Sequence, residues 1–172
     1  MVRVETKWDG VTTFTKNANR ITIDDDPGYF IDLDDDGYPT EIRREYDDYF
    51  KSYTFNFQDG NLMQLTYSDS DDTETYEFKY DKKKSPFYHC KTPKWYLVFS
   101  NSLLEIRHYD VFLELGDIDF VNFSNNNITE IICSDEERNR AIRYEYDSAG
   151  YPTKSIMFDR NKGSMVYNYI YQ

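Results

Sequence analysis

The chain has 172 residues, a formal net charge of -12, and an aromatic content of 18% supplied by 17 Tyr, 12 Phe and 2 Trp. That length fits one domain spanning residues 1–172 and is enough to bury a core. The acidic balance argues against nucleic-acid binding, which needs clustered Lys and Arg, and against attraction to anionic lipid, and no apolar run has the length of a membrane helix.

In chain order, Val2 to Trp8 alternates and meets Asp9-Gly10, a short hairpin signal, with Val11 to Lys16 as its return strand and Asn17-Ala-Asn19 as a second turn. Arg20 to Ile23 is a short strand, and Asp24-Asp-Asp-Pro-Gly28 predicts a firm break. Tyr29 to Leu33 resumes the strand and Asp34 to Gly37 turns it. In Ser52 to Phe57 and Thr75 to Tyr80 every second residue is aromatic, and Arg143 to Tyr146 and Val166 to Tyr171 repeat the scheme. Side chains alternate between faces along a strand, so each segment sets its rings on one face and its polar groups on the other. Residues 81–95 hold two prolines and predict an irregular insertion, with room for a short helix. Ser102 to Leu115 fits either a capped helix or a strand, and the match between Phe99–Ile106 and Phe123–Ile131 favours strand.

One phrase returns along the chain. Ile31 to Ile42, Phe57 to Leu65, Phe99 to Ile106, Phe123 to Ile131 and Tyr144 to Ser155 are variants of strand, tight turn and return strand. The interval is 23 residues from Ile42 to Leu65 and 25 from both Ile106 to Ile131 and Ile131 to Ile156, room for two strands and two turns. The prediction is an all-β antiparallel hairpin meander of roughly 10–13 strands, curled into a barrel or open roll around the aromatic face. Its strands read as six or seven residues, shorter than the roughly nine to eleven of a membrane barrel, so no membrane insertion is expected.

The Tyr144 to Lys154 hairpin, Tyr80 to Phe87 and the Asn125 to Ile131 turn resemble the YD-repeat, or RHS-like, pattern. The wider set resembles secreted Bacteroidetes domains of unknown function with a porin-like fold. That resemblance covers most of the chain from about Ile31 and implies an antiparallel β architecture, a secreted or lipoprotein origin and no catalytic residues. Met1-Val-Arg-Val-Glu has no signal-peptide core, which leaves two settings open: the cytoplasm, or the cell surface after removal of an export segment.

Few residues point to chemistry. Asp32-Leu-Asp-Asp-Asp-Gly37 has the opening of a calcium loop, but Arg43 stands at the twelfth position, and the sister copy replaces Asp35 and Asp36 by Ser148 and Ala149. An acidic hairpin turn with Gly37 and Gly150 at positive φ explains both copies. Asp24-Asp-Asp26 is a similar, weak cluster. His89, Cys90, His108 and Cys133 lack zinc spacing, and Cys90 and Cys133 fit two separate thiols better than one bridge. Nucleophile-elbow, P-loop, dinucleotide and metalloprotease signatures are absent from the sequence. The tyrosines read first as core and second as an exposed platform for sugar rings, with Trp8 and Trp95 as further members. The expectation is a monomeric, non-catalytic secreted or cell-surface binding module with no cofactor, no metal, and a protein or glycan ligand. The alternatives are a glycan hydrolase with paired carboxylates and an acidic inhibitor of a basic protein.

Overall fold

The computed structural model describes residues 2–6, 10–23, 26–46, 48–86, 88–89, 91–95, 124–159 and 163–171. Within them the chain forms one antiparallel sheet of twelve strands in sequence order. These are β1 (Val2–Thr6), β2 (Gly10–Asn17), β3 (Arg20–Ile23), β4 (Asp26–Leu33), β5 (Pro39–Tyr46) and β6 (Tyr49–Gln58). After them come β7 (Asn61–Asp69), β8 (Thr73–Lys84), β9 (Asn126–Cys133), β10 (Arg140–Tyr146), β11 (Pro152–Asp159) and β12 (Gly163–Asn168), with a 3-10 turn at Glu136–Arg138. The meander is not closed: β1 and β12 are its two ends.

Alternation decides which face is inside. Tyr53 and Phe55 of β6, Leu65 of β7, Tyr76 and Phe78 of β8 and Ile142 of β10 are buried, and Thr54, Glu77, Ala141 and Arg143 beside them are exposed. Buried side chains from Phe14 on β2 to Met157 on β11 belong to one core cluster. Trp95, in the β8–β9 connection, packs edge-on against Phe14, ring centroids 5.8 Å apart, although β2 lies six strands from β8. A sheet that brings those two together is curled, so the architecture is an open roll with its aromatics inward. The outer face carries polar cross-strand pairs, among them Arg20–Asp32 at 2.6 Å, Lys79–Glu130 at 2.6 Å and Lys154–Glu145 at 2.8 Å. Where rings do point outward, Phe30, Phe50 and Phe158 each lie under a guanidinium, from Arg20, Arg43 and Arg143.

The two Asp-x-x-Gly-Tyr-Pro-Thr copies fold alike. Asp34 Oδ1 accepts the N–H groups of Asp36 and Tyr38, and Asp147 Oδ1 accepts those of Ala149 and Tyr151. Gly37 and Gly150 both sit at φ +84°, which only a residue without Cβ adopts at little cost. The first Asp caps the turn and the Gly reverses it.

Four expectations are corrected. Pro27 and Gly28 do not break the strand: β4 begins at Asp26, and a register shift at Thr22/Ile23 absorbs the misfit. Lys82, Lys83 and Lys84 belong to β8, so the insertion begins at Ser85, because pairing with β9 continues to Lys84↔Asn126 past two shifts. Asn125 to Ile131 is not a hairpin turn: from Asn126 it is β9. Finally, strands β4 to β9 are 8 to 12 residues long, so length does not set them apart from membrane strands. The Asp9 turn, Phe99–Ile106 and the strand-or-helix question at 102–115 lie outside the described residues.

Candidate functional site: the aromatic rim and the polar ends of the roll

In a meander, alternate turns share an end. One end holds the β5–β6, β7–β8, β9–β10 and β11–β12 connections; the other holds β4–β5, β6–β7, β8–β9, β10–β11 and the C-terminal segment.

At the first end, polar groups of the inner face are tied together. Tyr67 and Tyr49 donate their hydroxyls to Asp69 Oδ2 at 2.5 and 3.2 Å, while Asp69 Oδ1 accepts the N–H groups of Asp71 and Asp72. These bonds, the Tyr67 hydroxyl first, hold the Asp69 carboxyl down to about 2. Next to them Tyr76 donates to Glu74 at 2.9 Å, and Arg138 reaches both Glu74, at 2.8 Å, and the Tyr76 oxygen, at 3.2 Å.

The second end begins with a node that fixes the β8–β9 connection. Tyr80 donates to the Leu62 carbonyl at 2.5 Å and lies 3.0 Å from Ser124 Oγ. Asn61 and Asn126 exchange two hydrogen bonds. Asn125 donates through its side chain to the Asp59 carbonyl at 3.1 Å and through its backbone N–H to the Gly60 carbonyl at 3.1 Å. The Asn run therefore docks onto the β6–β7 turn. Asp81 accepts from Asn127 Nδ2 and from the Tyr146 hydroxyl. Among the described residues the Tyr144 hydroxyl is buried with no hydrogen-bond partner. Burial raises Tyr76, Tyr80, Tyr144 and Tyr146, so these phenols are held protonated and none is activated as a nucleophile.

Outside that node runs a chain of accessible rings. Tyr88 meets His89 edge-on at 4.9 Å, His89 lies 6.3 Å from Tyr151, and Tyr151 lies 5.7 Å from Tyr171. The Lys84 ammonium is 5.4 Å from the rings of both Tyr88 and Tyr151, and Lys83 is 6.0 Å from Tyr146. Tyr88 and Tyr171 are 42% and 47% exposed, far above the core tyrosines. Tyr171 is pinned by donating to the Pro152 carbonyl at 2.7 Å, and burial first, then nearby Tyr169 and Asp147, push it up to about 12. The rings come from the β8–β9 connection, the β10–β11 turn and the C-terminal segment, so the fold assembles them from three separate places.

The residues singled out from the sequence fall as follows. Asp32 pairs with Arg20, Asp34 caps its turn and Asp35 accepts from Asn19, so these carboxylates do not converge on one point. Cys133 is a buried free thiol and His89 lies exposed on the rim; Cys90, His108 and Trp8 are outside the described residues, as are Asp24 and Asp25. Trp95 packs into the core and does not join the platform. The rim itself escaped the sequence reading, yet a signal was present. Residues 82–95 hold five Lys and no Asp or Glu, in a chain of net charge -12.

No protein-family model and no curated protein matches the chain. Among solved structures it is similar to a porin-like protein from Bacteroides uniformis, with a TM-score of 0.38 and 15% identity over 94% of this chain and 77% of that one. It is also similar to a porin-like protein from Bacteroides vulgatus, with a TM-score of 0.33 and 10% identity over 95% of this chain and 88% of the other.

Proposed function

We propose that the protein is a non-catalytic binding module, and that its ligand seat is the aromatic rim of Tyr88, His89, Tyr151 and Tyr171 with Lys84. The observation that carries this reading is the coupling of neighbouring rings, Tyr88 and Tyr171 exposed and Tyr151 half-buried, to a lysine of the one stretch, residues 82–95, where the sequence turns basic. Flat rings offer apolar faces to the C–H side of a pyranose, and an ammonium among them favours a carboxylate or sulfate on the sugar. The ligand class is a glycan bearing acidic residues. A nucleic acid fits less well, because its phosphates follow one another closely and would meet the acidic remainder of the surface.

The charged outer face supports a protein that does not insert into a bilayer, since a lipid-facing Arg or Lys costs roughly 2–4 kcal/mol at the midplane. The resemblance of the chain from about Ile31 onward to secreted Bacteroidetes domains supports an exported setting. The test is titration calorimetry against uronate-bearing and neutral oligosaccharides, with Tyr88→Ala and Tyr151→Ala as variants. Each substitution is expected to weaken binding about tenfold, as loss of an aromatic anchor does, and Lys84→Glu to abolish the preference for the acidic sugar. Equal affinity of wild type and both tyrosine variants would remove the rim as the seat.

A further inference from the structure

β12 is the last of the described strands, and no described strand pairs with its outer edge. Tyr169 N–H donates inward to the Thr153 carbonyl, so Tyr167 and Met165, two and four residues back, also face β11, and Ser164, Val166 and Asn168 present their backbone groups outward. Such an edge is a template for another strand, and proteins guard it with charge or proline. Here the guard is missing. Every other strand holds at least one charged residue, but Gly163 to Tyr171 holds none, in a chain that is 30% charged. The exposed apolar side chains collect at the same place. Phe158, Val166, Ile170 and Tyr171 are 40%, 54%, 85% and 47% exposed, and among the described residues only Tyr88 elsewhere is comparable.

We infer that β12 is a dimerisation strand that pairs antiparallel with β12 of a second copy, joining two rolls edge to edge. A second copy fits better than a foreign strand. Two molecules of charge -12 repel, and an interface between them must sit where neither carries charge. Antiparallel pairing about a two-fold axis sets this uncharged edge against itself, needs no complementary partner, and closes after two copies. It also lays Val166 and Ile170 of one copy beside those of the other, covering the outer apolar stripe. The opposite edge is a poorer mate: β1 contains Arg3 and Glu5, and pairing β12 with it head to tail would build an open fibre. A single pair of edge strands is a small interface, so the dimer is expected to be weak and concentration-dependent.

Sedimentation velocity of the whole chain over a concentration series tests this. Wild type is expected to pass from monomer to dimer without larger species. Val166→Lys and Asn168→Lys, both on the outward side of β12, should weaken dimerisation at least tenfold with unchanged circular dichroism, whereas Glu5→Lys on β1 should leave both unchanged. Asn168→Cys should give a disulfide-linked dimer under mild oxidation. A monomer at every concentration, a dimer indifferent to Val166→Lys, or one lost in Glu5→Lys with unchanged circular dichroism would each overturn the inference; the last two would place the contact elsewhere or on β1.

Discussion

Raising the pH should unfold this protein in a narrow interval above 10, driven by its interior tyrosines. Tyr76, Tyr80 and Tyr144 are raised above the ordinary phenol value of 10, burial being the first cause in each case. The sign follows from linkage. A group whose folded value is raised lends its stability in full below the unfolded value, and loses it as the pH climbs from there toward the folded value. One pH unit above 10, a phenol that ionises only when unfolded favours the unfolded chain by about 1.4 kcal/mol. Three such groups together shift the balance by about 4 kcal/mol at pH 11, a large part of the roughly 5–15 kcal/mol that holds a domain folded. Tyr67 and Tyr146 move the same way. Tyrosinate absorbance and circular dichroism should be followed together through the titration. The exposed phenols should ionise first over a broad range, and the interior ones should appear in one steep step coincident with loss of the strand signal. If all 17 tyrosines titrate in a single smooth curve near 10 while the fold persists, the interior hydroxyls are open to water and the packing argument fails.

Two hydroxyls in the same interior should respond oppositely to removal. Tyr144→Phe deletes a buried oxygen without a partner and is expected to stabilise by about 1 kcal/mol, or 2–4 °C in melting temperature, whereas Tyr80→Phe strands the Leu62 carbonyl and should destabilise by about 1–2 kcal/mol. Glycines at positive φ should likewise separate in denaturant melts. Gly37→Ala meets nothing within 4 Å and should cost only the backbone strain of about 1 kcal/mol, while Gly60→Ala places Cβ 2.1 Å from Asn125 Nδ2 and should cost about 2, because that amide must leave its bond to Asp59. Cys133, in a Cys90→Ser background, should resist thiol reagents until denaturant is added; prompt labelling would show that the β9 end is open to solvent.

What could be read from the sequence was whatever a single strand decides for itself. Alternation in Tyr53-Thr-Phe-Asn-Phe57 fixes a face without reference to neighbours, and Asp147-x-x-Gly-Tyr151 closes its turn with its own side chain, which is why both survive intact in the fold. What escaped depends on another strand. Lys82 to Lys84 looked like a loop because a charge run is usually solvated, but β9 keeps pairing as far as Lys84, and Asp81 beside the run is held by Asn127 and Tyr146. The Asn run at 125–127 looked like one more turn, and its partners at Asp59 to Asn61 lie more than sixty residues away. The rim is hidden more deeply, since Tyr88, Tyr151 and Tyr171 meet only after three hairpins have been laid in order.

This difference bears on where function can reside. The described strands send most of their aromatic side chains, among them Tyr53, Phe55, Tyr76 and Phe78, to the common interior, and are alike in what they withhold from solvent. The opening of the β8–β9 connection departs from the pattern: residues 85–95 are basic where the chain is acidic, and they send Trp95 inward to Phe14 while leaving Tyr88 and His89 at the surface. The two neighbouring elements that supply Tyr151 and Tyr171 are ordinary members of the roll, and they join the aromatic rim only because the departing segment lands beside them. Replacing residues 85–95 by a polar segment of equal length should therefore leave most of the sheet's circular dichroism in place and remove glycan binding. Retained binding after that replacement would mean that the repeat itself, and not its interruption, recognises the ligand.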